Sequence, residues 1–409
     1  MVVIWVLVDL YFFQAIRTVT ANLNPLTRSS IHWGYWILEG GFLLLVLYLA
    51  VGARVSFWSK DFGWMLGLMI LSMVPKLIVV PLFLIEDVGR FFAAVYNWFS
   101  NTVGSTQDAP VDVFVARRKF VSQLALGIAA VPFAGILHGL FRGKYSFQVR
   151  RADLSFRDLP DAFDGFRITQ LSDIHAGSFT DVEAAVRGLA LANEQESDLI
   201  LFTGDIVNNE ARELEPWFDA LAGLKAPHGK YSVLGNHDYG DYKHWEFPGA
   251  KEDNLRQLKD MQREAGFRLL LNEHVEIEKD GERICLLGVE NWGLRGFHQY
   301  GDLNKTLANV DDSQFKILLS HDPSHWEAET IKHAKHIHLT LSGHTHGMQF
   351  GVEVPGFKWS PIQYIYKQWA GAYAIGVKKL YVNRGYGFLA FPGRVGIMPE
   401  ITVITLRKA

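Results

Sequence analysis

A chain of 409 residues has room for two or three domains, and its net charge of −3 gives no positive field that would make nucleic acid its main partner. The lone Cys285 excludes an internal disulfide framework and any cysteine-based metal site. A mean hydropathy of +0.07 is high for a chain that is 20% charged, and the excess lies in the first third.

Taken in order, residues 1–144 read as a transmembrane helical region of about four spans, at 1–16, 33–53, 62–85 and 120–141. Trp33, Tyr35, Trp36, Trp58 and Trp64 cluster at the ends of these runs, as interfacial belts do. The first run lacks a basic leader and a small-residue cleavage site, so it reads as a span and not as a cleaved signal. Asp9 and Lys76 fall near the middle of their spans, where an unpaired charge costs several kcal/mol, so the two are expected to face each other. A structural pair is the plain reading; a part in transport or headgroup capture is the alternative. Pro75 and Pro81 are expected to kink the third span, Phe91–Phe99 to lie along the interface, and Asn101–Pro110 to form a turn-rich link. Basic residues divide evenly between the two sides of the membrane. Ala116–Val121, with Arg117–Arg118 ahead of an apolar run, resembles a twin-arginine export signal; a basic stop before a span is the alternative. On that feature the C-terminal domain is placed outside the cytoplasm.

Residues 145–409 have the composition of a soluble α/β domain. Tyr145–Arg151 and Phe166–Leu171 read as strands, and Thr180–Asn193 as a helix capped by Thr180. Glu213–Gly223 and Asn254–Ala265 read as helices, the second ended by Gly266. Lys279–Asp280–Gly281–Glu282 has the turn chemistry of a β-hairpin. Strands alternate with helices first and dominate later, which implies two stacked sheets with helices outside.

The chemistry follows the apolar strand-like runs. Asp173–Ile174–His175 comes after Phe166–Leu171, Gly204–Asp205 after Leu199–Thr203, and Gly235–Asn236–His237–Asp238 after Tyr231–Leu234. His321 comes after Phe315–Leu319, and Gly343–His344–Thr345–His346 closes the series. Buried strands that deliver Asp, His and Asn from their C-terminal ends are how an α/β fold builds a metal site. A lone Asp or His at a strand end is more often a cap; the ordered set is what points to a metal centre.

Those five motifs, in that order, resemble the calcineurin-like metallophosphoesterases over roughly residues 146–409, and the segments Tyr381–Gly387, Pro392–Arg394 and Pro399–Ile401 are similar to the membrane-associated bacterial branch. The resemblance implies a four-layer α/β/β/α sandwich, a multi-pass protein of the bacterial inner membrane, and a phosphate-ester substrate that is possibly a lipid. It implies two divalent cations, Mn²⁺, Fe or Zn²⁺ by the nitrogen and oxygen donors. The first would take Asp173, His175, Asp205 and His346; the second Asp205, Asn236, His321 and His344. His237 would contact the phosphoryl group and protonate the leaving oxygen. Many relatives hold that imidazole with an Asp three residues after the bridging carboxylate; here the position is Asn208, with Asp238 as a possible substitute. Arg384 and Arg394 are candidates to fork onto phosphate, or else to close the sheet edge with salt bridges. His325, His333, His336 and His338 read as surface or packing residues. Trp292–Phe297 and Phe357–Trp369 read as a cap over an acyl chain or as a membrane-docking face.

The function expected is hydrolysis of a phosphodiester or diphosphate, lipid-linked. A UDP-2,3-diacylglucosamine-type diphosphatase is the runner-up and requires a cytoplasmic domain. A metal-binding membrane scaffold without turnover is the reading from another class.

Overall fold

The computed structural model describes residues 2–52, 60–103, 111–294 and 296–409. Two compact units divide between His138 and Gly139. The first is four helices: α1 (Val2–Thr20), α2 (Pro25–Gly52), α3 (Lys60–Val103) and α4 (Val111–Phe141). All four are long and apolar enough to cross a membrane. The aromatic Trp58 and the end of the second expected span lie outside the described residues, as does most of Asn101–Pro110. The expected interfacial segment Phe91–Phe99 is not separate, because α3 continues through it for 44 residues. At 1.5 Å per residue that is about 66 Å, roughly twice a bilayer's hydrocarbon thickness. Lys76 of α3 meets Asp9 of α1 at 2.5 Å and also Glu39 of α2 at 2.7 Å, all three buried. The pair expected from sequence is therefore a trio. Ser72 donates to Glu39 and Tyr35 to Asp9, at 2.6 and 3.0 Å.

The second unit is built on β1 (Gln148–Phe156), β2 (Arg167–Leu171), β3 (Leu199–Phe202), β4 (Lys230–Ser232), β5 (Phe267–Leu269), β6 (Glu273–Lys279) and β7 (Glu282–Gly288). There follow β8 (Phe315–Leu319), β9 (Leu339–Ser342), β10 (Val352–Val354), β11 (Phe357–Trp359), β12 (Gly371–Ile375), β13 (Lys378–Val382) and β14 (Glu400–Lys408). One six-stranded sheet runs β1-β14-β2-β3-β4-β5; the other runs β12-β13-β9-β8-β7-β6. Apolar residues of both inner faces, among them Ile168, Leu201, Ile284, Ile317 and Leu341, form one core between the sheets. The outer face of the first sheet packs under α5 (Val182–Asn193), α6 (Phe218–Ala222) and α7 (Ala250–Glu264). The short helices α8 (Leu303–Thr306) and α9 (Ser324–Ala328) pack on the outer face of the second sheet, which completes the α/β/β/α sandwich.

Local chemistry explains where elements begin and end. Asp181, not Thr180, caps α5, its carboxylate accepting from Ala184 N at 2.8 Å. The expected helix Glu213–Gly223 is instead a 3-10 stretch, Ala211–Trp217, followed by the short α6. Pro216 lacks the N–H an α-helix interior needs. The β6–β7 hairpin turns at Asp280 and Gly281 with φ of 52° and 82°, the left-handed pair that Asp-Gly supplies.

Candidate metal centre

Every candidate ligand hangs on a loop directly after a strand of the two inner sheets. Asp173 and His175 follow β2, Asp205 follows β3, Asn236 follows β4, His321 follows β8, and His344 and His346 follow β9. Leaving a strand and turning side chains into one space requires a sharp change of direction. Asp173, His175, Asp205, His344 and His346 make it with φ between 48° and 69°, a region L-residues avoid. Such backbone costs about 1–3 kcal/mol per residue and persists only where the surroundings enforce it. Two glycines let the loops pack this closely. A Cβ on Gly204 would meet Gly235 N at 2.5 Å, and one on Gly343 would collide with Ser172 and Asp173.

Two buried groups result, Asp173–His175–His346 and Asp205–His321–His344, and within each the ligating atoms lie within 4.8 Å of one another. Asp205 Oδ2 is 3.1 Å from His321 Nε2 in its own group and 3.6 Å from His175 Nε2 in the other. Its Oδ1 accepts from His237 N at 2.8 Å. His346 Nε2 lies 3.3 Å from Asp173 and 3.0 Å from His175 Nε2.

The hydrogen-bond partners fix the lone pairs. His321 Nδ1 donates to Thr203 O at 2.7 Å, so its Nε2 carries the lone pair. His175 Nδ1 donates to Asn208 Oδ1 at 3.1 Å, with the same result. His344 Nε2 lies 2.9 Å from Tyr366 OH and 3.5 Å from Asp322, which places its lone pair on Nδ1. That Nδ1 faces His321 Nε2 at 3.2 Å, so with both rings neutral two acceptors point at each other. Asn236 donates through Nδ2 to Tyr242 at 3.0 Å, while its buried Oδ1 has no hydrogen-bond partner. Converging lone pairs and an orphaned oxygen fit cations and little else. The electrostatics agree. Burial opposes a charged His321, yet the Asp205 and Asp173 carboxylates lift its pKa to about 10. The pocket asks for positive charge.

Three comparisons bear on this arrangement. Residues 166–348 match the family model "Calcineurin-like phosphoesterase", and residues 1–144 match "Probable Calcineurin-like phosphoesterase, transmembrane domain". The uncharacterized metallophosphoesterase YkuE of Bacillus subtilis is 31% identical over 72% of this chain and 98% of its own length. The chain belongs to the calcineurin-like metallophosphoesterases. The phosphodiesterase YaeI of Escherichia coli is 27% identical over 71% of this metallophosphoesterase and 99% of its own length. A zebrafish transmembrane protein with a metallophosphoesterase domain is 29% identical over 70% of this chain, which spans 62% of that protein. Among solved structures, Haemophilus influenzae NAD nucleotidase matches 54% of this chain and 45% of its own at 13% identity and a TM-score of 0.36, too weak a likeness to argue from. With four apolar helices and a transmembrane family match, this metallophosphoesterase is an integral membrane protein.

Other candidates from the sequence sit differently. His237 is buried beside Asp205, and its Nδ1 donates to the backbone carbonyl of Asn208 at 2.8 Å. Asn208 thus holds the imidazole through its main chain; its side chain serves His175. Asp238 is engaged by other groups. Its carboxylate accepts from the backbone N–H groups of Gly235, Asp205, Ile206 and Val207, pinning the two ligand loops together. Burial and the neighbouring Asp205 charge push its pKa up to about 7. Arg384 pairs with Glu400 and Glu353, both at 2.6 Å. Arg394 is fully buried, bonding the carbonyls of Gly387, Arg384 and Gly385, and its Nη2 lies 3.2 Å from His346 Nδ1. The Arg384 Nη atoms are taken by the two glutamates while its Nε has no hydrogen-bond partner among the described residues, and Arg394 braces the His346 loop through backbone carbonyls. His325 and His338 are buried and bonded locally, to Ser320 and to the Lys316 amide. Sequence reasoning passed over Tyr366 and Asp322 behind His344. The first lay within a stretch singled out only as aromatic, the second beside a residue already chosen as a ligand.

Proposed function

We propose that the C-terminal unit hydrolyses a phosphodiester or diphosphate using two divalent cations, and that its substrate is lipid-linked. The observation that supports this most is Asp205, whose one carboxylate oxygen reaches imidazoles of both groups. A carboxylate can bridge two cations. Asp173, His175, Asp205 and His346 would hold the first, and Asp205, Asn236, His321 and His344 the second. Bound there, the pair supplies a hydroxide at neutral pH and neutralises the phosphoryl oxygens. The chain's own residues do the rest. Asn208 O fixes the His237 ring with the proton on Nδ1, and protonation at the other nitrogen readies it to hand a proton to the leaving oxygen. The Asp238 clamp keeps the Asp205 and Asn236 loops in register. The lipid link is supported by the apolar helices of the same chain, and the phosphodiesterase name of the Escherichia coli relative favours diester over monoester chemistry.

The test is hydrolysis of bis-p-nitrophenyl phosphate by the full-length protein with added Mn²⁺. Turnover that disappears in Asp205→Ala is expected; full cation occupancy without turnover in the native protein would instead favour a scaffold. We further propose a bacterial inner-membrane location with this unit outside the cytoplasm, supported by the Arg117–Arg118 pair at the start of the apolar stretch within α4. Phosphatase and fluorescent-protein fusions at the C-terminus decide it, activity of the phosphatase fusion being the expected outcome.

A further inference from the structure

The small sheet β10–β11, inserted between His346 and β12, has its amphipathic character turned inside out. Its register pairs Val352 with Trp359, Glu353 with Lys358, and Val354 with Phe357. Directly paired residues of an antiparallel ladder share a face, and successive residues alternate. The charged side chains reach back to the domain, with Glu353 half-buried and Lys358 still exposed. Glu353 accepts from Arg150 at 2.8 Å and from Arg384 at 2.6 Å. Lys358 donates to Ala370 O at 2.6 Å and lies over the Trp369 and Tyr373 rings. The face carrying Val354 and Phe357 is turned outwards, with 53% and 57% of those residues exposed. Tyr364, on the turn that follows, is 76% exposed, and Ile365 and Met348, on the segments that flank the hairpin, are exposed as well. A short hairpin facing water puts its polar side out. Contiguous exposed apolar surface of this kind marks a place that something else covers.

We propose that this hairpin and the turn Pro361–Tyr364 lie in the interfacial layer of the bilayer, so that the metal centre works on phosphoesters presented at a membrane surface. Two observations select lipid as the occupant. The chain carries its own anchor: α4 ends at Phe141 and β1 begins at Gln148, so the bilayer is the apolar phase at the highest effective concentration. The exposed set also mixes Tyr and Phe with aliphatic residues and the exposed Lys367, the composition of interfacial anchors. The segment is tied to the site as well. Tyr366, two residues beyond Tyr364, meets His344 Nε2, Ser360 donates to Gly347 O at 2.8 Å, and Thr345 donates to Trp369 O at 2.7 Å. A surface that rests in lipid therefore sits on the same short segment as a cation ligand's hydrogen-bond partner. The consequence for substrate rests on the phosphoesterase reading; the docking itself does not.

The test places an environment-sensitive nitrobenzoxadiazole label at Val354→Cys or Phe357→Cys in the full-length protein, whose only native cysteine is buried. A third label at Arg256→Cys on α7 serves as control. The proteins are reconstituted in phosphatidylcholine–phosphatidylglycerol nanodiscs. Blue-shifted emission at 354 and 357, quenched by doxyl-labelled lipid and protected from iodide, is expected, with the reverse at 256. Labels at 354 and 357 that iodide quenches and doxyl lipid does not would overturn the proposal. So would protection from iodide without doxyl quenching that is lost on dilution, which would make the face a contact between two copies. A kinetic arm separates docking from chemistry. Phe357→Glu is expected to lose turnover of a p-nitrophenyl phosphodiester carried on diacylglycerol in vesicles while keeping turnover of bis-p-nitrophenyl phosphate. Doxyl quenching in a protein that hydrolyses neither substrate would sink the phosphoesterase reading and leave the docking intact.

Discussion

In the membrane bundle, Asp9 and Glu39 converge on a single ammonium, Lys76, and each carboxylate also accepts from a hydroxyl. In the catalytic unit, Asp173 and Asp205 converge with four imidazoles and an amide, and no lysine or arginine reaches either carboxylate among the described ion pairs. Both clusters are buried, where an uncompensated carboxylate is costly. The first is closed by a cation from its own chain. The second has imidazoles facing each other and, among the described residues, no partner for Asn236 Oδ1, so its carboxylates draw positive charge to the ring nitrogens, a proton or in its place a cation. Whether a buried charge cluster is structural or functional is decided by which of its polar atoms remain unused.

That contrast can be broken by substitution. The largest effect is expected from Asp205→Ala, which removes the one oxygen that reaches both groups. Turnover of bis-p-nitrophenyl phosphate should fall by roughly 10³-fold or more, because charge neutralisation dominates the barrier. Bound metal measured by mass spectrometry should fall with it. Lys76→Met should act on stability alone. Leaving two buried carboxylates without their cation costs about 3–5 kcal/mol, read as earlier thermal unfolding in detergent, with soluble-diester turnover per folded molecule unchanged. Adding Asp9→Asn and Glu39→Gln should recover most of that loss. A triple variant as unstable as Lys76→Met would mean the trio does more than compensate charge.

Smaller effects sharpen the picture of the catalytic cluster. Tyr366→Phe removes a hydrogen-bond partner of a cation ligand and should weaken metal affinity or turnover about 10–100-fold. Asn208→Asp should change turnover less than about tenfold, since the carbonyl that holds His237 is unaltered and a general acid contributes about 10²–10⁴-fold only when misplaced or lost. A large gain there would show that the side chain, not the main chain, sets that imidazole.

The order of the seven candidate ligands was legible because each follows an apolar run that reads as a buried strand, and the sandwich followed from strands that alternate with helices before they dominate. The Asp9–Lys76 meeting was legible for a related reason: lipid leaves a buried charge few options. What the sequence hid was the prior use of polar atoms. Arg384, Arg394 and Asp238 are of the right type and close to the site, yet salt bridges, carbonyls and backbone amides engage most of their polar atoms. Glu39 was hidden by the apolar run around it, and Pro216 was overlooked inside an expected helix. Residue type announces chemistry; only packing shows whether it is still available.

The five left-handed residues at the strand ends carry one more implication. Their awkward backbone is enforced by glycine contacts and by the Asp238 amide clamp, none of which involves an ion. The socket is thus cast before anything is seated in it. Ions of different size then meet a mould of fixed dimensions, and exchanging one for another should retune the rate without remaking the fold.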